Sequence, residues 1–288
     1  MTTPEPDRTI AFQGAPGAYS HLACREAYPE LRPLPCRTFE ETFEAVAAGA
    51  ARLAMIPVEN SIAGRVADIH HLLPASGLHI VAEHFQRVNH QLLAPPGAGL
   101  EGLREVHSHV HALAQCRDLI AELGLEAVVH ADTAGAAAEV AKRADPAIAA
   151  IASRLAAEIY GLAILKADVE DAAHNTTRFL VMARQAVEQP RADGPVMMSF
   201  VFRVRNVPAA LYKALGGFAT NGVNMVKLES YMLDGTFTAT QFYADIEGHP
   251  AERSVQLAME ELDFFSREVR ILGVYPAHPF RRRTRDAA

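Results

Sequence analysis

Cysteine is scarce in this sequence, which contains only Cys24, Cys36 and Cys116. The number is odd and no two form a Cys-x-x-Cys pair, so neither a disulfide framework nor a zinc ribbon is indicated. A reducing cytoplasm fits this usage. Residues 1–8 lack the basic-then-apolar pattern of a secretory signal, and no apolar run approaches the length of a membrane span. We therefore expect a soluble, cytoplasmic protein.

Positive charge is also in deficit, with 27 Lys and Arg residues against 34 Asp and Glu residues and a net charge of −7. This balance provides no electrostatic surface for nucleic acid or for an anionic membrane, so local groups must bind any anionic substrate. The one dense basic run is Arg281-Arg282-Arg283-Thr284-Arg285, which we interpret as a solvated tail without a function.

The first glycine-rich turn, residues 13–20, lacks both the GxGxxG spacing and the Gly-Lys-Ser/Thr of a Walker A loop. It follows a predicted short strand, Ile10 to Phe12, and precedes a predicted helix from His21 to Tyr28. Free backbone N–H groups at such a helix start suit an anion, and Ser20 lies among them.

The same order of strand, polar turn and helix recurs along the chain. Each turn taken singly has a plain explanation; Asn60 or Ser61, for example, would cap a helix that continues through Asp68 to Leu73. Alternating strands and helices predict parallel sheets, and ligands bind beyond the carboxyl ends of such strands, so the turns together indicate a polar cleft. The polar residues concerned are Ser20, Asn60, Ser61, Ser108, His109, Asp132, Thr133 and Asn175 to Arg178.

Histidines alternate at positions 107, 109 and 111, which raises the alternative of a metal site. His109 lies at a predicted helix start, where the period changes, so the three need not share a face and no metal is expected. Cys116 lies in the same alanine- and leucine-rich helix and is interpreted as a small buried apolar residue.

The pattern changes after residues 185–195, whose prolines and glycine are typical of a linker. Four strands and two helices follow in the order βαββαβ, with Asp234-Gly235 as the predicted hairpin turn. This order predicts a ferredoxin-like module. The predicted strands are 197–205, 223–231, 236–246 and 269–276, and the predicted helices are 209–221 and 250–265.

The densest polar turn, His174 to Arg178, leads into the apolar strand Phe179 to Met182. By itself it reads as a turn satisfied by its own side chains. In context it resembles the signature of bacterial prephenate dehydratases with a C-terminal ACT domain, and the resemblance covers about residues 8–280. It rests on Tyr160, Leu162, Leu165, Asp171 and Thr177 to Met182, and on four further blocks: Gly14 with Gly17 to Ser20, Pro57 to Ser61, Ser108-His109 with Gln115-Cys116, and Asp132 to Ala134.

The resemblance implies an α/β fold in which residues 8–185 form a catalytic region of two subdomains similar to a periplasmic binding protein. The second subdomain is expected at about residues 84–170, with prephenate between the two. A ferredoxin-like βαββαβ ACT regulatory domain is expected at residues 196–276.

The implied reaction is the loss of water and carbon dioxide from prephenate, which makes the ring aromatic. It needs a donor to the departing hydroxyl and neither a metal nor an organic cofactor. Thr177 matches the family's catalytic threonine and takes this role. Because Thr177 and Arg178 face opposite sides of a regular strand, both enter one site only if the strand is irregular. Substrate binding is assigned to Ser20, Asn60, Ser61, Ser108, His109, Thr133, Asn175 and Arg178.

By the same resemblance the C-terminal module binds phenylalanine at a subunit interface of a homodimer or homotetramer and inhibits the enzyme. The sequence departs from the family here: the Gly-Ala-Leu motif is Ala209-Ala210-Leu211, and the Glu-Ser-Arg-Pro motif is Glu229-Ser230-Tyr231-Met232, although Asn224 is kept. A methyl group at Ala209 would crowd a ligand that approaches the backbone.

Two alternatives stay open. An arogenate dehydratase would perform the same elimination on a substrate with an amino group in place of the keto oxygen. A catalytically idle amino-acid sensor would use the same cleft but would lack the hydroxyl donor, and the retained Thr177 argues against it.

Overall fold

The computed structural model describes residues 5–66, 69–186, 194–205, 207–232 and 239–285. The chain divides into two compact units. The first comprises Met1–Val66 and His84–Phe179, and the second comprises Ala67–Glu83 and Leu180–Ala288. Among the helices of the described ranges, none is long and apolar enough to cross a lipid bilayer.

The first sheet has its apolar strands at the centre. Its strands are β1 (Thr9–Gln13), β2 (Arg32–Cys36), β3 (Leu53–Asn60), β4 (Gly64–Arg65), β5 (His79–Arg87) and β11 (Thr176–Ala183), and its helices are α1 (Tyr19–Ala27), α2 (Phe39–Ala47) and α3 (Ile69–Ala75). The strand order is β2-β1-β3-β11-β5, with β4 paired to β3. β1 runs parallel to β2 and β3. Residues 53–56 of β3 are almost wholly buried, as a strand covered on both faces must be.

The second sheet is built entirely from residues 91–166. Its strands are β6 (Gln91–Ala94), β7 (Glu105–His109), β8 (Glu126–His130), β9 (Ile148–Ala152) and β10 (Ala163–Lys166), and its helices are α4 (Val110–Ala114), α5 (Arg117–Glu122), α6 (Thr133–Arg143) and α7 (Arg154–Tyr160). The order is β10-β6-β9-β7-β8. β7, β8 and β9 are parallel, but β6 is antiparallel to both β9 and β10. The prediction of purely parallel sheets is therefore wrong here.

The chain path confirms the expected pair of α/β subdomains. The chain leaves the first sheet after β5, builds the second sheet and returns to the first as β11. The stretch from residue 174 onward is thus the return crossing, and its apolar continuation Phe179–Met182 is buried as predicted.

Local predictions fail where the chain reverses sharply. Asn60 and Ser61 do not cap a helix, because the chain turns back into β4 and α3 begins only at Ile69; Asp68 lies outside the described residues. The Asn60 Oδ1 instead accepts the backbone N–H groups of Ile62, at 3.0 Å, and Ala63, at 2.8 Å. The predicted helix that begins near His109 and contains Cys116 is two short helices, α4 and α5, with Cys116 between them.

The C-terminal module confirms the ferredoxin-like prediction. Its elements are β12 (Val196–Val204), α8 (Ala210–Thr220), β13 (Met225–Met232), β14 (Ala239–Glu247), α9 (Arg253–Phe265) and β15 (Ser266–Pro276). The antiparallel order β13-β14-β12-β15 is that of a βαββαβ module. Phe200, Phe202, Phe218 and Phe242 form its core. The predicted turn at Asp234-Gly235 lies outside the described residues.

The second compact unit also contains α3 and the first half of β5. A Cβ at Gly273 of β15 would lie only 2.1 Å from the carbonyl oxygen of Ile80. Any side chain at this position would therefore collide with the backbone of β5, so glycine is required for this close approach.

The basic C-terminal run is not simply a solvated tail, and that interpretation is wrong for Arg281. The Glu83 side chain is fully buried, and Arg281 donates to it from Nε at 2.6 Å and from a terminal nitrogen at 2.9 Å. The backbone N–H of His278 donates to the same carboxylate at 3.1 Å. Arg281 is the second residue of α10 (Phe280–Arg285), so this helix is anchored through a bidentate ion pair.

We expect Arg281→Ala to lower the free energy of unfolding by about 2 kcal/mol, because it removes the counter-charge of a buried carboxylate that keeps its other donors. Arg282→Ala is the matched control, since Arg282 is exposed, and should change stability by less than about 0.5 kcal/mol. Urea unfolding followed by circular dichroism measures both variants. Equal stability of the two would contradict the assigned role of the ion pair.

Candidate active site

Two polar segments that are far apart in sequence meet where β3 and β11 lie side by side. The Asn60 Nδ2 donates to the Asn175 Oδ1 at 2.8 Å and to the Thr177 Oγ1 at 3.0 Å. The backbone N–H of Ser61 donates to the carbonyl oxygen of Thr176 at 2.9 Å. The strand pairing thus places Thr177 beside Asn60 on one face of the sheet.

The Thr177 hydroxyl is half-buried and accepts the Asn60 amide hydrogen. Within the described part of the chain, no residue accepts the Thr177 hydroxyl proton. A hydroxyl whose oxygen is already hydrogen-bonded, and whose proton has no protein acceptor, can donate to a bound molecule.

Arg178 points to the other face of the same strand. It is 3 % exposed and donates to the Glu59 Oε1 at 2.9 Å. The adjacent residues Glu59 and Asn60 of β3 thus contact Arg178 and Thr177 of β11 respectively, the alternation of side chains expected of two extended strands. Arg178 and Thr177 therefore engage different residues of β3.

The other predicted site residues lie near helix starts or beside Thr177, and several have protein partners. Ser61 Oγ donates to the carbonyl oxygen of His174 at 2.8 Å and accepts the N–H of Thr176 at 3.0 Å. Ser108 is fully buried, and its hydroxyl donates to the carbonyl oxygen of Ile151. Asn175 is also fully buried.

His109, Thr133 and Ser20 occupy helix N-termini. His109 is the N-cap of α4, and its pKa is lowered by burial and by the neighbouring His111. Thr133 is the first residue of α6, whose N-cap Asp132 accepts the N–H of Gly135. Ser20 is buried in the first turn of α1. Over the described residues, the Thr133 and Ser20 hydroxyls have no hydrogen-bond partner, which leaves both available to a ligand.

Three residues that the sequence did not single out as site residues extend the hydrogen bonds away from Thr177. Asn175 Nδ2 donates to the Gln115 Oε1 at 2.8 Å, which is also 3.0 Å from the His90 Nε2. The other ring nitrogen of His90 lies 2.9 Å from the Tyr19 hydroxyl. Gln115 and Tyr19 belong to blocks that carry the family resemblance, which was the available signal; His90 had none.

The glycine-rich turn before α1 contacts the second subdomain. Gly17 has a φ of +93°, and a Cβ there would lie 2.9 Å from the Cα of Ala156 at the start of α7. The Ser153 hydroxyl donates to the carbonyl oxygen of Gly17. The Gly17 N–H donates to His21 Nδ1 at 3.0 Å, so this N–H is not available to an anion.

The remaining candidates for metal binding or nucleophilic catalysis are His107 and the three cysteines, and all four are buried. In the described ranges, no group of three or more His, Cys, Asp or Glu side chains could hold a metal ion. His107 is buried, with Nε2 2.9 Å from Glu105. All three cysteines are free and buried, and burial raises the pKa of the Cys24, Cys36 and Cys116 thiols.

The candidate regulatory residues lie at the start of α8 and along β13. Ala209 is the N-cap of α8 with a φ of +61°, a left-handed conformation that glycine adopts at little cost. Ala210 and Leu211 begin the helix. Asn224 donates to Glu247 at 3.0 Å and Lys227 donates to Glu229 at 3.3 Å, with Ser230 next in β13. Tyr231, at a departure from the family motif, is buried with its ring against His71.

Comparisons with known proteins find related sequences over most of the chain. A family model described as prephenate dehydratase matches residues 10–187. A bifunctional N-acyl-homoserine lactone acylase/prephenate dehydratase from Komagataeibacter europaeus is 57% identical over 96% of this chain and 99% of its own length. The arogenate dehydratase/prephenate dehydratase 1 of Arabidopsis thaliana is 39% identical over 93% of this chain and 71% of its own.

A solved structure supports the fold over most of the chain. The prephenate dehydratase of Arthrobacter aurescens in complex with L-Phe is 30% identical, and the match has a TM-score of 0.85. It covers 93% of this chain and 90% of the other.

Proposed function

Because this chain belongs to the prephenate dehydratase family, we propose that it converts prephenate to phenylpyruvate by loss of water and carbon dioxide, within phenylalanine biosynthesis. The observation that carries the proposal is the Thr177 hydroxyl, which accepts a hydrogen bond from Asn60 and keeps its proton for a ligand. It lies within the Thr-Arg-Phe segment on which the family resemblance rests.

The chemistry places few demands on the protein. Prephenate carries a ring carboxylate, a pyruvyl carboxylate and a ring hydroxyl opposite them. Breaking the C–O bond of that hydroxyl while the ring carboxylate leaves as carbon dioxide makes the ring aromatic, which supplies the driving force. The enzyme must assist the departing hydroxyl and must not hold the ring carboxylate too tightly, since that group's electrons enter the ring.

Thr177 provides the assistance by donating its hydroxyl proton in a hydrogen bond to the departing oxygen. An alcohol is a weak acid, so the benefit arises from a donor that is already oriented and strengthens its bond as charge develops. No metal or organic cofactor takes part in this scheme.

The remaining site residues divide by whether their groups have protein partners. We assign substrate contacts to Thr133 and Ser20, whose hydroxyls lie at helix N-termini that favour anions, and to His109, whose Nδ1 accepts the N–H of His111 and whose Nε2 remains for a ligand. Asn60, Ser61, Ser108 and Asn175 use their polar atoms within the protein and hold the site in shape. Arg178, paired with Glu59, contributes positive charge beneath the strand and makes no direct contact with substrate.

We expect Thr177→Ala to lower kcat about 100- to 1000-fold with little change in KM, because the lost interaction acts mainly in the transition state. Thr177→Ser keeps the donor and should retain activity within about tenfold of the parent. Phenylpyruvate formation from prephenate under saturating conditions measures both.

The same assay with arogenate assigns the substrate. We expect a higher kcat/KM for prephenate, in line with the activity in the name of the 57%-identical relative. A higher value for arogenate would make the chain an arogenate dehydratase. No turnover of either substrate would leave an amino-acid-sensing protein.

A second candidate function is hydrolysis of N-acyl-homoserine lactones, favoured by the 57% identity to a relative named as an acylase of that class. Cleaving the amide needs an activated nucleophile, and the buried cysteines with raised pKa values do not provide one. We therefore expect a hydrolysis much slower than dehydration, measured as release of homoserine lactone. The absence of release above a protein-free control would contradict this function.

We further propose that the ferredoxin-like module is an ACT domain through which phenylalanine inhibits the enzyme in a homodimer or homotetramer. The Arthrobacter aurescens relative was solved in complex with L-Phe. In this chain the ligand would contact residues 209–211 and 229–230 with Asn224, as the resemblance implies. Ala209 adds a methyl group where the family motif has glycine, as the resemblance implies.

We expect phenylalanine to raise the melting temperature and to inhibit dehydration, and Ala209→Gly to bind it more tightly because a methyl group and a left-handed strain are removed together. The strain alone costs about 1 kcal/mol, so the variant should also be more stable without ligand. Calorimetric unfolding with and without phenylalanine measures both effects. Unchanged melting and activity at millimolar phenylalanine would contradict the regulatory role.

A further inference from the structure

The orientation of the Asn60 amide is fixed by the backbone. Its Oδ1 accepts the N–H groups of both Ile62 and Ala63, so a flip would direct amide hydrogens at two backbone donors. The Nδ2 therefore faces Thr177 and Asn175 as a donor. Because Asn60 can only donate there, the Thr177 oxygen can only accept, and its own proton must point elsewhere.

The orientation of Asn60 also fixes which atoms donate and which accept in the neighbouring side chains. Asn175 Oδ1 accepts from Asn60, so the Asn175 Nδ2 donates to Gln115 Oε1. An oxygen accepts only, so His90 must carry a hydrogen on Nε2, 3.0 Å away. In the neutral ring the Nδ1 of His90 is then an acceptor, 2.9 Å from the Tyr19 hydroxyl, whose single proton can instead go to the carbonyl oxygen of Asn89 at 2.8 Å. From Asn60 to the Nε2 of His90, each group has one permitted direction.

Burial keeps these side chains in the protonation states that the hydrogen bonds require. Asn175 is 0 % exposed and His90 is 2 % exposed. Burial lowers the pKa of His90 against the opposing effects of Gln115 and Glu170, which keeps the ring neutral near pH 7. Burial, with Glu170, Cys116 and Asp168 nearby, raises the pKa of Tyr19, which therefore keeps its proton. The charged pair Glu59–Arg178 lies on the opposite face of the sheet.

We propose that Asn60, Asn175, Gln115 and His90 are positioning residues that fix the direction of the hydrogen bond received by Thr177, so that its proton is presented to the departing hydroxyl of the substrate. This inference rests on the proposed dehydration. It assigns these four residues to orientation of the donor and not to contact with prephenate. Gln115 and His90 belong to the second subdomain, so the donor is held correctly only while both subdomains contribute.

The direct test is Asn60→Asp, which keeps the size of the side chain and the acceptor for Ile62 and Ala63 but reverses the polarity toward Thr177. When the new carboxylate is ionised, the Thr177 hydroxyl donates to it and is withdrawn from the substrate. We expect kcat to fall about 100-fold at pH 8 with KM little changed. When the carboxylate is protonated it can donate again, so kcat should recover several-fold as the pH falls to 5, where about a tenth of an ordinary aspartate is protonated.

The parent enzyme, measured over the same pH range, provides the reference, and Asn221→Asp at the end of α8 is the matched control for adding a carboxylate elsewhere. Neither should show the acid recovery. An Asn60→Asp variant that turns over like the parent, or one whose loss is the same at every pH, would overturn the inference while leaving the assignment of Thr177 intact. Failure of the parent to dehydrate prephenate would overturn both.

A second pair of variants applies if Asn60→Asp does not fold. His90→Gln brings an amide nitrogen near the position of Nε2 and keeps the donor to Gln115, whereas His90→Asn reaches only the position of Nδ1. We expect kcat within about threefold of the parent for His90→Gln and about tenfold lower for His90→Asn, the value of one hydrogen bond. Equal kcat values for the two variants would contradict the chain of fixed polarity.

Discussion

The pairing of β3 with β11 is the contact on which the rest of the site depends. It joins segments 117 residues apart in sequence, from Asn60 to Thr177. The chain can make it only by completing the second sheet and returning, so the donor hydroxyl does not exist as a site until both subdomains have formed. Formation of a long-range contact of this kind is slow, because the loop must close before any bond compensates for the lost entropy.

The polar groups around this contact are buried, so each of them needs a hydrogen-bond partner within the protein. A buried amide or imidazole without a partner destabilises a protein by about 1–3 kcal/mol, so a complete chain of donors and acceptors tolerates few substitutions. Because each donor and acceptor in this chain of hydrogen bonds has a partner, the side chains around Thr177 are held in one arrangement. In the proposed reaction Thr177 acts as an uncharged donor whose neighbours leave its proton a single direction, and such a donor suits a reaction in which a carboxylate must depart.

Much of this structure could be predicted from the sequence. The alternation of strands and helices predicted the α/β region, and the βαββαβ order of the C-terminal module followed from its periodicity. The polar residues at positions 60, 61 and 175–177 were expected to meet, and they do. β5 was missed because His79 to Arg87 mixes polar and apolar residues without a clear period. The antiparallel direction of β6 was not predicted, because the choice of neighbouring strand depends on tertiary packing. The partner of Arg178 and the role of His90 were not predictable, since both depend on which strand face meets which residue.

The close approach of Gly273 to Ile80 affects how the chain can be divided. The segment that separates the catalytic region from the ferredoxin-like module in sequence does not separate compact units, because α3 and the first half of β5 belong with the module. A chain ended near residue 186 would lose Arg281, the counter-ion of Glu83, and would uncover the backbone of Ile80. A boundary drawn from the sequence between the two regions would therefore cut through one compact unit, which contains α3, the first half of β5 and the module.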